Sequence, residues 1–340
     1  MQTLNITFDK DNLRFMRAII PVAGVGTRLR PHTYTLPKVL LNVAGKPILA
    51  HIMDALQEQG INKATIITGY LGGLVEEFVR KKYDMDVAFV DQESRQGLGH
   101  AIWMAAPTFD DEPVLIILGD TIFDVDLKLA FNTGSNSLGV KWVEDPRRFG
   151  VVTYGEDGYV SRLVEKPEKT ISNMALVGLY YVEKPAALKR ALDELIEKDI
   201  RTRGEYQLTD ALQIMIENGE KFRTFDVEGW YDCGKPETLL STNRFLLDKR
   251  SSPSAVTNSI VIPPSYISPK ANIENSIIGP YASVADGAVV RESIIKDSII
   301  SFGACVQSSL LDQSIIGNNA TVNGHFHKLN VGNSSTIEHS

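Results

Sequence analysis

The chain has 340 residues, 43% of them apolar and 23% charged, with a formal net charge of −7. At about 150 residues per domain this length predicts two domains and enough apolar material for a sizeable core. No apolar run approaches the roughly 18 residues of a membrane span, and the acidic balance disfavours a general binder of nucleic acid or other polyanions.

Residues 1–15 (MQTLNITFDKDNLRF) mix Asp9, Lys10, Asp11 and Arg14 with scattered apolar positions. They lack the apolar stretch of a secretion signal, so a cytoplasmic location with no membrane partner is expected. Cys233 and Cys305 stand far apart, outside any CxxC or Cys/His spacing, which argues against a disulfide framework or a thiolate zinc site. Anionic ligands, if bound, must be held by local cations and backbone amides.

Between Arg17 and Asp120, short β-branched runs alternate with stretches of helical period, the pattern of a parallel α/β sheet. Strands are predicted at RAIIPV (17–22), KATIIT (63–68), DVAFV (86–90) and VLIIL (114–118). Pro47 opens a helix with Ile48, Leu49, Ile52, Met53 and Leu56 on one face and Gly60 as its stop, and a second crossover helix falls at 73–82. From 140 to 182 the chain is richer in Val, Tyr and Gly, with strand-like FGVVTY and ALVGLYYV. Amphipathic helices follow near 185–198 and 207–218.

After Lys249 the polar, Pro-bearing RSSPSAVTNS ends the helical pattern. The expected organisation is an N-terminal extension (1–16), a first domain (17–250), a linker (251–258), a second domain (259–325) and a tail (326–340). The second domain repeats I-x-x-x-A-x-V/I at Ile267–Ile273, Ile278–Val284, Ile300–Val306 and Ile316–Val322, with SII triplets at 276–278, 293–295, 298–300 and 314–316. Aliphatic residues six apart, with a small residue before the second, suit short strands turning around a triangular prism. The pattern predicts a left-handed parallel β-helix of about three to four coils and resembles the hexapeptide-repeat family.

The first strand runs into Ala23-Gly24-Val25-Gly26-Thr27-Arg28-Leu29-Arg30-Pro31, at the carboxyl end where open α/β sheets bind ligands. Glycines there let backbone N–H groups approach phosphate oxygens, and Arg28 adds a cation able to bridge two of them. Leu29 holds the place of the third glycine of GxGxxG and no Gly-Lys-Ser/Thr follows, so the turn is neither a dinucleotide fingerprint nor a P-loop.

Ten residues beyond Arg28 comes Leu36-Pro37-Lys38. Together with the Gly-rich turn it resembles the sugar-1-phosphate nucleotidylyltransferases, of the glucose-1-phosphate thymidylyltransferase type. Leu118-Gly119-Asp120, Phe149-Gly150-Val151-Val152, Glu165-Lys166-Pro167, Val177-Gly178-Leu179-Tyr180, Arg203-Gly204-Glu205-Tyr206-Gln207-Leu208-Thr209-Asp210 and Trp230-Tyr231-Asp232-Cys233-Gly234 continue the resemblance in order over 17–245. Family members with a C-terminal β-helix are known, so both halves agree. The resemblance implies a Rossmann-like transferase domain with a mixed, mostly parallel sheet, acting on a nucleoside triphosphate and a sugar 1-phosphate.

It also implies roles. Asp120 and Asp232 would hold Mg²⁺, a cation suited to hard oxygen ligands, which would neutralise and orient the α-phosphate. Ala23, Gly24, Gly26, Thr27 and Arg28 would bind the nucleotide, with Arg28 and Lys38 stabilising charge on the triphosphate. Lys166 and Arg203 would hold the sugar phosphate, Glu165 and Glu205 would accept hydrogen bonds from sugar hydroxyls, and Gly150 and Gly178 would admit the ring. Gln92 and Gly97 would read the base, an amide being able to pair with a pyrimidine edge.

The sequence departs from the pattern at Val39, where thymidylyltransferases usually carry Gln, and at Thr121, which replaces a frequent Asn. Either dTTP or UTP therefore stays open as donor, with glucose 1-phosphate the expected acceptor. His100 reads as a helix-facing polar residue without catalytic duty, and Trp142 and Trp230 as core or pocket wall. Two alternatives remain. One is a catalytically silent assembly relative, against which the retained set Arg28, Lys38, Asp120, Lys166 and Asp232 argues. The other is an acyltransferase in the β-helix using His325 or His327, where a capping turn is the favoured reading. A homo-oligomer formed through the β-helix is expected, because its faces expose apolar side chains and strand edges.

Overall fold

The computed structural model describes residues 16–249, 256 and 258–324. The expected extension apart from Met16, most of the linker, the tail and the His325/His327 pair lie outside the described residues, and Met16 is buried in the core of the first unit. The chain divides into two compact units, one comprising the chain to Leu41 and Lys46–Thr242, the other Asn42–Gly45 and the chain from Asn243.

The first unit is built on a nine-stranded sheet. Its parallel part has the order β3-β2-β1-β4, where β1 is Arg17–Pro21, β2 Lys63–Thr68, β3 Asp86–Asp91 and β4 Val114–Ile117. The crossovers carry α1 (Ile48–Glu58), α2 (Gly72–Lys82) and α3 (Leu98–Ala105). The runs predicted from β-branched periodicity thus form the strands they should. β1 shows why they are apolar throughout. Ala18 and Ile20 pack on one face with Leu49, Met53 and Val75, whereas Ile19 packs on the other with Ile102, Leu188 and Leu212, so neither face can be polar.

A two-stranded extra ladder and an antiparallel wing complete the unit. β5 (Thr121–Asp124) follows β4 at once, and β6 (Asn136–Trp142), β7 (Gly150–Tyr154), β8 (Val160–Glu165) and β9 (Met174–Val182) form the wing, with β9 antiparallel to β4, β6 and β7. Helices α4 (Pro185–Glu197) and α5 (Leu208–Glu217) cover one face. β10 (Phe222–Asp226) joins β6 in parallel, β11 (Gly229–Asp232) pairs with β5, and the unit's chain ends at Thr242, within α6 (Pro236–Asp248). Trp142 departs from expectation: it stands at the end of β6 with 63% of its surface exposed, whereas Trp230 packs edge-on against Phe149 with ring centroids 4.8 Å apart. Among the described residues no helix is long and apolar enough to cross a membrane.

The second unit is a left-handed parallel β-helix of three four-stranded sheets. The small residues of the repeat fill the prism, as Ala282 and Ala304 are fully buried beside Val284, Val290 and Val306. The SII triplets have a second function beyond continuing the aliphatic ladder. Ser293 N donates to Ser276 Oγ and Ser309 N to Ser293 Oγ, both at 3.1 Å, so the serines relay hydrogen bonds from coil to coil. Asn243, buried in this unit, donates to Tyr281 O at 3.0 Å and accepts from Ala44 N and Ser283 Oγ, each at 2.8 Å.

Candidate active site

Two cavities open at the carboxyl ends of β1, β3 and β4 and share Leu98, Leu118 and Asp120 as lining residues. The smaller, about 320 Å³, is walled by Pro21–Gly24, Lys38, Val39, Gln92, Arg95, Gly97 and Glu205. The larger, about 810 Å³, takes Arg28, Arg148, Gly150, Glu165, Lys166, Gly178, Thr209, Trp230, Asp232 and Lys235.

The turn after β1 is shaped by its glycines. Gly26 adopts φ 68°, and a Cβ there would meet Lys38 Cβ and Thr33 Cγ2 at 3.1 Å, so only glycine lets the turn close over Lys38. A Cβ on Gly24 would meet nothing within 4 Å, leaving open space beside the backbone. Thr27 starts a single 3₁₀ turn, Thr27–Leu29, whose Leu29 is fully buried and anchors it; Arg28 is thereby sent to the larger cavity. Neither Gly26 nor Thr27 lines either of these two cavities.

Lys38 Nζ meets Asp120 Oδ2 at 2.5 Å. Burial pushes the Asp120 carboxyl up, but the adjacent ammonium more than offsets this and holds it below the usual carboxylate range. Asp232 is brought alongside by the β5–β11 ladder, in which Asp232 pairs with Thr121 and Cys233 N donates to Asp120 O at 3.0 Å. Burial and then the Asp120 charge raise the Asp232 pKa, with Lys38 and Arg28 acting in the other direction. Gly234 leaves room close by, since a Cβ would come within 2.8 Å of both Arg28 Nη2 and Asp232 Oδ1 and push these side-chain ends aside.

Two carboxylates side by side, with no histidine or cysteine among the residues lining either cavity, fit a hard divalent cation. Among the described residues no three His, Cys, Asp or Glu side chains gather as a metal cage. Such an ion would complete its shell with water and phosphate oxygens, a habit of Mg²⁺.

On the larger cavity, Glu165 Oε2 accepts from Thr209 Oγ1 at 2.7 Å and Glu165 Oε1 pairs with Lys166 Nζ at 3.2 Å. Gly150 makes room for this arrangement, because a Cβ would lie 2.9 Å from Glu165 Oε2. Thr209, buried at the start of α5, escaped the sequence reading although it stands inside the Gln207-Leu208-Thr209-Asp210 stretch. Arg148, Lys235 and Arg95 were also missed, since cations in loops carry no periodic signal.

Two expected placements differ. Glu205 lines the smaller cavity beside Gly97, not the larger one, because the 202–206 segment is bound to the Gln96–Gly99 segment: Tyr206 N donates to Gln96 O and Gly99 N to Tyr206 O, both at 2.8 Å. Arg203 lines neither cavity; its Nη2 donates to the Lys166 carbonyl at 2.9 Å and so braces Lys166 from behind. Gly178 does line the larger cavity, and its φ of 92°, within the register shift of β9 against β6, together with the 2.4 Å approach of a Cβ to Leu118 Cδ1 gives the position a backbone reason for glycine as well.

Open α/β sheets bind nucleotides at this end, and a junction of paired carboxylates and cations suits the transfer of phosphoryl-type groups. The fold and site are those of a nucleotidyltransferase. The chain belongs to the nucleotidyl transferase family, whose profile matches residues 17–249. It is 35% identical over 247 residues to the low-salt glycan biosynthesis nucleotidyltransferase Agl11 of Haloferax volcanii, covering 69% of this chain and 67% of that protein. A glucose-1-phosphate thymidylyltransferase of Streptomyces antibioticus is 30% identical over 355 residues, covering 96% and 98%. The bifunctional protein GlmU of Methanocaldococcus jannaschii is 38% identical over 236 residues, which span 69% of this chain and 55% of GlmU. Among solved structures, a UDP-glucose pyrophosphorylase complexed with UDP-glucose superposes with a TM-score of 0.60 at 25% identity, over 69% of this chain and all of that one.

Proposed function

We propose that the protein transfers a nucleotidyl group from dTTP or UTP to a sugar 1-phosphate, glucose 1-phosphate first, releasing pyrophosphate. The observation that carries this reading is the meeting of two cavities at Asp120: one walled by the Gly24 turn and Gln92, the other by Glu165, Lys166 and Trp230. A nucleotide in the first and a sugar phosphate in the second would bring their phosphates to one place.

The sugar-phosphate oxygen forms a bond to the α-phosphorus, and the bond from that phosphorus to the oxygen bridging the β-phosphate breaks. The attacking oxygen is already anionic at neutral pH, so no general base is needed, in keeping with cavities lined without histidine. What the reaction asks of the protein is placement and positive charge. Lys38, held at Asp120, would face the α-phosphate, and Arg28, whose charge acts on Asp232, would add a second positive charge there. Lys166, with Arg148 and Lys235 on the same cavity, would hold the phosphate of the sugar, and Glu165 would take a sugar hydroxyl. Asp120 and Asp232 would hold Mg²⁺, which would supply Lewis-acid neutralisation at the α-phosphate.

The test is a matrix of nucleoside triphosphates against sugar 1-phosphates with Mg²⁺, read by pyrophosphate release. Fastest release with dTTP or UTP and glucose 1-phosphate is expected. No release from any pair would overturn the reading.

A further inference from the structure

Gln92 extends β3 and is fixed at its backbone, where its N donates to Thr68 O at 2.8 Å. Its buried side chain lines the smaller cavity. The side-chain nitrogen Nε2 lies 3.2 Å from Gly97 O and 3.3 Å from His100 Nδ1. A carbonyl oxygen can only accept, so the contact with Gly97 identifies the amide nitrogen, and Nδ1 of His100 must then accept from the same group. Both hydrogens of the Gln92 amide are thus turned into the protein. What Gln92 has left for a ligand is its carbonyl oxygen.

His100 is built to stay an acceptor. It is buried on α3, its ring 6.4 Å from and nearly parallel to Tyr206 and 5.8 Å from Trp103. Arg201 lies over the other aromatic partner, 3.9 Å from the Tyr206 ring. Burial first, and then the Arg201 charge, hold the imidazole below its ordinary pKa, which favours the neutral ring that can accept at Nδ1.

We propose that His100 is a positioning residue for base choice: by accepting a Gln92 N–H at Nδ1 it leaves only the Gln92 carbonyl oxygen to meet the base, which selects a pyrimidine carrying a ring N–H over one with a ring acceptor. Uracil and thymine present N3–H; cytosine presents a lone pair at the same atom, and two acceptors would then face each other. The proposal rests on the reading of the smaller cavity as the nucleotide site.

The experiment measures kcat/KM for UTP, dTTP and CTP, and calorimetric binding of the same nucleotides, on the full chain and on His100→Phe and His100→Asn. In His100→Phe the preference for UTP or dTTP over CTP should fall by about tenfold or more. In His100→Asn, whose Oδ1 takes the place of Nδ1, it should be kept within roughly threefold. A residue with a merely structural role would lower thermal stability or all rates together and leave the ratio unmoved. A wild-type preference for UTP or dTTP with an unchanged ratio in His100→Phe overturns the role of His100 alone. A wild-type preference for CTP or ATP overturns the base reading and this proposal with it. If no pair turns over, the transfer reading falls, and the binding ratios still decide on His100. Should His100→Phe fail to fold, two-bond proton–nitrogen NMR of the wild type decides: the Nε2–H tautomer of His100 is expected, and the Nδ1–H tautomer overturns the proposal.

Discussion

Lys38 Nζ lies 2.5 Å from Asp120 Oδ2, with only 9% of the lysine side chain exposed. A nearly buried cation needs a partner, and in the proposed reaction Lys38 would be shared between Asp120 and the incoming phosphate. Asp120→Asn removes the partner and half of the paired carboxylates at once. Turnover should fall at least ~100-fold, with circular dichroism unchanged, because positioned charge is most of what the reaction requires. Asp232→Asn should act alike. Near-normal turnover in either variant would refute the assignment.

How far the sequence foretold this site depends on the kind of signal. β1 and β4 were legible because burial on both sheet faces forces continuous apolar runs, α1 because its apolar residues recur on one face between Pro47 and Gly60, and Asp120 was legible as the residue after Leu118-Gly119. The adjacency of Asp120 and Asp232 was not derivable from spacing, since it is created by the β5–β11 ladder between segments more than a hundred residues apart. Asn42–Gly45 was equally hidden: four residues without a pattern belong to the second unit because Ala44 N bonds to Asn243. Arg203 and Glu205 followed motif order correctly, yet local backbone geometry sends one behind Lys166 and the other to the opposite cavity.

Thr209 gives a prediction that the motif alone would not. Its hydroxyl donates to Glu165 Oε2 at 2.7 Å, and Thr209→Val keeps the shape while deleting the donor. The KM for the sugar 1-phosphate should rise about tenfold with that for the nucleotide unchanged, and Thr209→Ser should restore it. Lys166→Ala should move the same constant in the same direction. An equal rise in both KM values would show that these residues do not act on the sugar side.

His32 and His100 both have pKa values pushed below 6.5, His32 by burial and His100 by burial and then Arg201. Below pH 6.5 the unfolded chain binds protons that the folded chain refuses, so their contribution to stability is full at higher pH and is lost on acidification. Melting temperature should fall between pH 7.5 and 5.5, and His100→Asn should fall less over that interval. A variant with the same pH slope as the wild type would exclude His100 as a source.

Cys233 has its thiol pushed up to about 12, chiefly by burial. At pH 8 that leaves about one thiolate in 10⁴, and the thiolate is the reactive form. In the folded protein a thiol reagent should leave Cys233 unmodified for hours and should modify it promptly in denaturant, as read by peptide mass spectrometry. Rapid labelling of native Cys233 would mean that the segment after β11 opens readily.

The β-helix carries its own expectation. Ile260, Ile277, Ile294 and Leu310 stand in register on successive coils of one sheet, and their neighbours Ile278 and Ile295 point inward and are fully buried. The outward side is left apolar, with Ile260 60%, Ile294 42% and Leu310 77% exposed. A straight aliphatic ladder of this kind matches a second copy of itself under two-fold symmetry, where each substitution counts twice. Because Leu310 is already in solvent, Leu310→Lys should leave the melting temperature of the β-helix nearly unchanged. In an assembly through this face it places two charges in an apolar seam, and the dissociation constant should rise at least ~100-fold. Light scattering across a dilution series of the full-length protein and the variant checks this. A monomeric wild type, or a variant with the same mass at every concentration, would remove this face as the site of self-association.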